Sequence, residues 1–220
     1  MNRFLSRLAA PLTVAVLMAA APAAQAVVMF SDNFDTDEVA SVLDFNAFNN
    51  WAVSGGNGKN TLHTVDYIRN SDYSINCVGN LGGCVDLDGS TGKSGLMATQ
   101  NSFALLAGTT YMFSLDLSGN QRNGESDKVT FGFLELGERE VTVQGDAFTT
   151  FTFSYTPTVN VNARLFVKDS GPNANDRIGA VLDNVSLRSA APTAEVPEPG
   201  TLALLGLGLA ALGLRRRRAA

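Results

Sequence analysis

The sequence predicts an all-β chain between residues 27 and 188: a two-sheet antiparallel β-sandwich, flanked by an N-terminal signal helix and a C-terminal apolar helix. Three observations predict it. Apolar residues recur with a period of two in several short runs, which marks half-buried strands. Gly, Asn, Asp and Pro punctuate those runs at regular intervals, as turns of an antiparallel sandwich do. No long stretch keeps a helical period, and no internal repeat is present.

Taken in order, residues 36–49 read as either a helical turn or a long loop. Residues 86–90 read as a strand ending in a turn. Alternation puts Asp86 and Asp88 on one face and Leu87 on the other, as on an edge strand. Tyr111, Phe113, Leu115 and Leu117 alternate with Met112, Ser114 and Asp116, the cleanest strand pattern in the chain. Residues 129–136 and 139–143 come next as further strands. Phe151, Phe153 and Tyr155 then alternate with Thr150, Thr152 and Ser154, and Leu165 and Val167 with Arg164, Phe166 and Lys168. Residues 178–187 read as the last strand. Its phase slips between Leu182 and Val185, which predicts a bulge at Asp183-Asn184.

The two ends carry targeting information. Arg3 and Arg7 precede an apolar run from Leu8 to Ala24, and Ala24-Gln25-Ala26 supplies the small-x-small pattern that signal peptidase cuts. A cleaved signal peptide of residues 1–26 is expected; an uncut membrane anchor is the alternative. At the other end, residues 201–214 carry no charge and are followed by Arg215, Arg216, Arg217 and Arg218. As a helix the run rises about 21 Å, short of a hydrocarbon core of about 30 Å. The arginines can snorkel and would hold that end in the cytoplasm. The region between the ends must then lie outside, as the signal segment independently requires. Residues 189–195 read as a linker.

All 21 acidic residues lie between Asp32 and Glu198, whereas six of the 16 basic residues sit in the two ends. The exported stretch is therefore strongly acidic, which argues against a nucleic-acid partner and suits a solvated extracellular matrix. Cys77 and Cys84 flank a Gly-rich loop, and in an oxidising compartment they are expected to form a disulfide. A metal pair, or a catalytic thiol working with His63, is the alternative.

Just before the apolar run stand Val196, Pro197, Glu198 and Pro199. This motif, the Gly/Leu/Ala run and the arginine cluster together resemble the PEP-CTERM sorting signal, also known as the ice-binding protein C-terminal domain, a label that does not imply ice binding. The resemblance covers residues 196–218 and implies recognition by an exosortase, a membrane-embedded cysteine peptidase of exopolysaccharide-producing Gram-negative bacteria. The two prolines keep the cleavage region extended and outside the helix. The resemblance thus implies a protein exported across the inner membrane and held transiently through residues 201–214 with its C-terminus cytoplasmic. It would be delivered to the cell surface or a biofilm matrix.

Residues 30–35, 85–92 and 179–187 resemble stretches of jelly-roll domains of the galactose-binding or carbohydrate-binding-module kind. The resemblance implies a jelly roll whose first and last strands are adjacent. Such domains often hold a structural calcium near those strands, and here Asp32, Asn33, Asp35 and Asp183 would supply the oxygens. Turn-capping by the same side chains is the alternative. Asp86-Leu87-Asp88-Gly89 looks like the start of an EF-hand, but Met97 stands where its twelfth-position Glu belongs.

Sugar binding needs exposed aromatic faces beside amides and carboxylates. Trp51, Tyr67 and Tyr73 are the candidates, with Asn60, Asp66, Arg69, Asn70 and Asp72 near in sequence; a core role for Trp51 is the alternative. Catalysis finds little support. His63 is the only histidine, no Gly-x-Ser-x-Gly occurs, and nothing marks a carboxylate pair. The expected function is a non-catalytic, exosortase-processed surface protein that binds glycan or exopolysaccharide. A structural or adhesive matrix protein without a small ligand, and a polysaccharide hydrolase, are the alternatives.

Overall fold

The structure, a computed structural model, describes residues 26–54, 63–90, 94–172 and 176–190, together with Gly208. The signal segment, Asn60, the sorting motif Val196, Pro197, Glu198 and Pro199, the rest of the apolar run and Arg215 to Arg218 lie outside the described residues. Among the described residues, no helix is long and apolar enough to cross a membrane.

Fourteen strands succeed one another among the described residues: β1 (Val27–Asp32), β2 (Val42–Phe45), β3 (Trp51–Ser54), β4 (Val65–Arg69), β5 (Gly83–Asp86), β6 (Leu96–Thr99), β7 (Phe103–Leu105), β8 (Tyr111–Ser118), β9 (Asp127–Phe133), β10 (Gly137–Val143), β11 (Thr149–Tyr155), β12 (Val161–Ala163), β13 (Leu165–Asp169) and β14 (Val181–Ser189). Seven strands form one sheet in the order β11-β8-β14-β5-β4-β2, with β1 beside β14. Five form the second sheet, β10-β9-β13-β6-β3, and β7 pairs with β12 apart from both. Every pairing between these strands is antiparallel. The chain passes repeatedly between the sheets and its first strand lies beside its last, as the jelly-roll reading expects.

Alternation is clearest in β8, where Tyr111, Phe113, Leu115 and Leu117 are buried and Met112, Ser114 and Asp116 are half-buried. The expected slip in the last strand is present. The β14–β8 register shifts between Asp183 and Ser186, and Asn184 adopts a left-handed φ of 44°. Two expectations need correction. Residues 36–49 hold no helix; their ordered element is β2, which closes the edge of the larger sheet against β4. Residues 83–86 are not an edge strand, because β5 runs between β14 and β4 and all its residues are buried.

That burial has a physical cause. The larger sheet is covered on both faces over part of its width. Tyr67, Val85 and Leu182 point into the main core between the sheets. Ile68, Cys84 and Val181 point to the other face, where Ile75, Cys77 and Phe148 cover them. The segment from Asn70 to Gly82 folds over this face, tied down by the expected Cys77–Cys84 disulfide with Cα atoms 5.5 Å apart. A strand covered on both faces loses its alternation. Between the sheets, aromatic rings dominate: Phe113 meets Phe131 edge-on at 5.6 Å, and Phe30 meets Trp51 at 5.8 Å. Each such side chain contributes about 2–3 kcal/mol when fully buried.

The disulfide closes a short loop, so its main effect is on the unfolded chain. Replacing Cys77 and Cys84 together by Ser is expected to cost about 2 kcal/mol, read as a lower urea midpoint with an almost unchanged m-value.

Candidate functional site

The covering loop leaves half of the larger sheet's outer face open. There the strands β1, β14, β8 and β11 lie side by side. Their registers place Ser31 opposite Ser186, Ser186 opposite Ser114, and Ser114 opposite Thr152. Four hydroxyl side chains thus form one row across four strands, spanning about 14 Å at the usual strand spacing. The Ser114 and Thr152 hydroxyls are 2.8 Å apart. A second polar line runs beside the first. Asp116 accepts from the Thr150 hydroxyl at 2.5 Å and from the Asn184 amide at 3.1 Å.

At the β1 end the row opens into a cleft of about 530 Å³. Ser31, Asp32 and Asn33 line one side and Asn184, Ser186 and Arg188 the other. Thr36 and Asn50 close the end, and Val185 is the one apolar lining residue. The bulge in β14 makes this possible, because it turns Asn184 toward Asp116 and re-aims the strand before Ser186. The cleft therefore offers hydroxyls, amides, a carboxylate and a guanidinium, with no aromatic platform.

The expected sugar-stacking residues lie elsewhere. Trp51 and Tyr67 are fully buried. Trp51 packs against Phe30 and Phe34, and its Nε1–H donates to Asp32 Oδ2 at 2.9 Å. The Tyr67 hydroxyl donates to the Glu38 carbonyl at 3.0 Å. Neither ring presents a face to a ligand, which corrects their assignment as binding residues. Tyr73 is exposed, in the turn of 3₁₀ helix Asp72–Ser74, away from the cleft lining.

The four expected calcium donors are placed as turn and loop acceptors. Asp32 Oδ1 accepts the Phe34 N–H at 3.0 Å, and its Oδ2 takes the Trp51 and Asn50 side chains. Asp35 accepts the Gly83 N–H at 3.0 Å and the Asn33 amide at 2.5 Å. Asp183 accepts the Val78 N–H at 2.9 Å and the Asn184 N–H at 2.7 Å. Burial pushes the Asp183 carboxyl up to about 7, with the Asp35 and Asp116 charges adding to it. Among the described residues, no three His, Cys, Asp or Glu side chains gather as a metal centre. His63 is tied to the Ser94 carbonyl at 2.8 Å, and both cysteines are in the disulfide.

Sequence reasoning missed a second group of residues. At the end of the sandwich where β5 and β13 stop and β9 and β14 start, Asp86, Asp88, Asp127 and Asp169 are all buried. Asp86 and Asp88 hold the segment from Arg177 to Gly179. Asp88 accepts the Arg177 N–H at 2.6 Å, and the Ile178 N–H donates to Asp176 Oδ1 at 3.0 Å. Asp86 accepts the Gly179 N–H at 2.9 Å, and Asp169 Oδ1 accepts the Gly171 N–H at 2.9 Å. Asp127 takes the Asn120 N–H at 2.9 Å, while the Asn120 side chain donates to the Ile178 carbonyl at 3.0 Å. Gly179 is required here, since a Cβ on it would sit 2.6 Å from the Asp88 nitrogen.

Burial is the first cause of the raised carboxyls in this group. It pushes Asp88 to about 6 and Asp127 to about 7, and it raises Asp169 as well. The charges of Asp169 and Asp176 add to the first two. Burial also raises Asp86, while the Arg122 guanidinium paired with it pulls the other way.

Residues 195–218 match the family described as the PEP-CTERM protein-sorting motif. No curated protein matches the chain in sequence. Among solved structures, the chain is similar to the N-terminal CBM22-1–CBM22-2 tandem domain of Xyn10C from Paenibacillus barcinonensis. The identity is 12%, over 81% of this chain and 49% of that one, with a TM-score of 0.47. The chain thus spans about half the length of that structure. It is also similar to the CBM22-1 xylan-binding domain of the same protein, at 12% identity over 79% of this chain and 100% of that one, TM-score 0.47. A third similarity is to the K1 cleaved adhesin domain of Lys-gingipain from Porphyromonas gingivalis W83, at 14% identity over 76% and 98% of the two chains, TM-score 0.45.

The buried carboxylates make stability depend on pH. Asp88, Asp127 and Asp183 bind protons more tightly folded than unfolded, so stability is highest on the acid side and falls as pH rises toward their folded values. In metal-free buffer the melting temperature is expected to drop by about 5 °C between pH 5 and pH 8. Arg122→Ala strands the Asp86 carboxylate and is expected to cost about 3 kcal/mol at neutral pH. The loss should shrink toward pH 4, measured by denaturant unfolding at both pH values.

Proposed function

We propose that this chain is an exosortase-sorted surface protein whose sandwich binds a glycan along the open half of its larger sheet. The in-register hydroxyl row Ser31, Ser186, Ser114 and Thr152, leading into the Arg188 cleft, carries the reading. A carbohydrate presents alternating donors and acceptors, and a ladder of hydroxyls can serve as either at each step. The Arg188 guanidinium adds a fork that suits a carboxylate-bearing or otherwise acidic sugar at the cleft end. Recognition would rest on hydrogen bonds and bridging water, since the aromatic candidates Trp51 and Tyr67 fill the core.

The sorting half of the reading rests on the motif at residues 195–218, which implies exosortase-dependent export and attachment in a Gram-negative envelope. A non-catalytic role fits the cleft's chemistry, because its one carboxylate, Asp32, is already committed to the Trp51 and Asn50 side chains. A structural matrix role without a small ligand is the second reading, and the burial of Trp51 and Tyr67 favours it.

A glycan array on the exported protein tests the choice, with acidic and neutral polysaccharides both represented. Selective binding is expected, and Arg188→Ala or Ser186→Ala should weaken it about tenfold, roughly 1.4 kcal/mol, with the melting temperature unchanged. Absence of binding to any glycan class would leave the structural matrix reading. Sorting is tested in an exosortase-bearing host: the mature protein is expected to lack residues 200–218, and replacing Pro197 and Pro199 by Ala should leave the tail attached.

A further inference from the structure

The geometry points to a divalent-cation site of calcium's chemistry between Asp88 and Asp169, at the end of the sandwich where the two sheets meet the segment from Arg177 to Ala180. It is separate from the polar cleft and from the Asp32, Asn33, Asp35 and Asp183 group. The observation that carries it is a pair of orphaned oxygens. Asp88 Oδ1 and Asp169 Oδ2 are both buried and have no hydrogen-bond partner, although their sister oxygens do. Asp88 is 0% and Asp169 5% exposed. Asp88 Oδ2 holds the Arg177 N–H, Asp169 Oδ1 holds the Gly171 N–H, and the Asp169 charge acts on Asp88.

A buried, unpaired carboxylate oxygen is expensive, and three things can relieve it: a proton, a basic side chain or a metal ion. A proton would convert an orphan acceptor into a donor that then needs an acceptor of its own. A basic side chain is not supplied. Among the described residues the two ion pairs are Arg122 with Asp86 and Lys128 with Glu140. A cation satisfies both oxygens at once. The Asp176 charge acts on Asp88, Asp127 and Asp169, and Asp169 acts on Asp88 and Asp127, so the neighbouring carboxylates raise the affinity.

Calcium fits better than magnesium. Calcium accepts six to eight oxygens in irregular geometry, whereas magnesium demands a regular octahedron. Two carboxylates from different sheets, completed by main-chain oxygens and water, make an irregular shell. Extracellular modules of this kind bind calcium with dissociation constants of about 10⁻⁴–10⁻³ M. Bound there, the ion would tie β5 to β13 and fix the start of β14.

The test is a thermal melt of the full chain at pH 7.5, with chelator and then with millimolar calcium chloride, and with magnesium chloride in parallel. Calcium is expected to raise the melting temperature by about 5 °C, and magnesium much less. Asp88→Asn with Asp169→Asn should abolish the response. Should that pair fail to fold, Asp176→Asn, at an exposed position, keeps the test sharp, because it should shift the calcium midpoint several-fold upward. Asp35→Asn should leave the midpoint unchanged. No response to calcium would overturn the site, as would a response that survives the Asp88/Asp169 pair, is indifferent to Asp176→Asn, or disappears with Asp35→Asn. None of these readings involves a glycan, so the outcome is independent of the cleft.

Discussion

The fold depends on how the last strand is launched. Before β14 begins, the Arg177, Ile178 and Gly179 amide hydrogens go to Asp88, Asp176 and Asp86, and the Ile178 carbonyl accepts from the side chain of Asn120, whose own N–H is held by Asp127. Asp86 ends a strand of the larger sheet and Asp127 opens one of the smaller. A segment that would otherwise carry unpaired buried amides is thus bonded to both sheets at once. Its placement sets β14, and β14 in turn pairs with β1, β5 and β8. The larger sheet is organised around that strand, and so is the open polar face.

That sheet is covered asymmetrically. The disulfide-tied loop from Asn70 to Gly82 buries Ile68, Cys84 and Val181, so half of the outer face becomes a second small core. The other half keeps Ser31, Ser186, Ser114 and Thr152 in register and uncovered by the loop. The bulge at Asn184 joins the two regimes. One strand therefore serves burial at its start and lines the polar cleft at its end.

The elements legible in the sequence are those with one covered face. The pattern of β8 translates directly into burial, and the phase slip in residues 178–187 marks the bulge. Residues 83–86 were opaque because two covered faces erase the period of two. The cleft was only partly legible: Asp32 and Asn33 stood out as oxygen donors, but nothing local joins Ser31 to Ser186 or Arg188, which meet only through strand pairing. Trp51 and Tyr67 misled for the opposite reason. Their sequence neighbours are polar, yet Phe30, Phe34, Phe45 and Phe48, brought from other segments, enclose them. Asp127 and Asp169 stand at strand ends, where acidic residues are ordinarily solvated, yet both are buried.

Amide hydrogen exchange at Arg177 and Gly179 tests the central claim most directly, because it reads the clamp itself. Protection close to that of β8, the level set by global unfolding, is the predicted result. Exchange at the rate of an exposed loop would contradict it, since β14 would then be held by its neighbours alone and the carboxylates would be passengers.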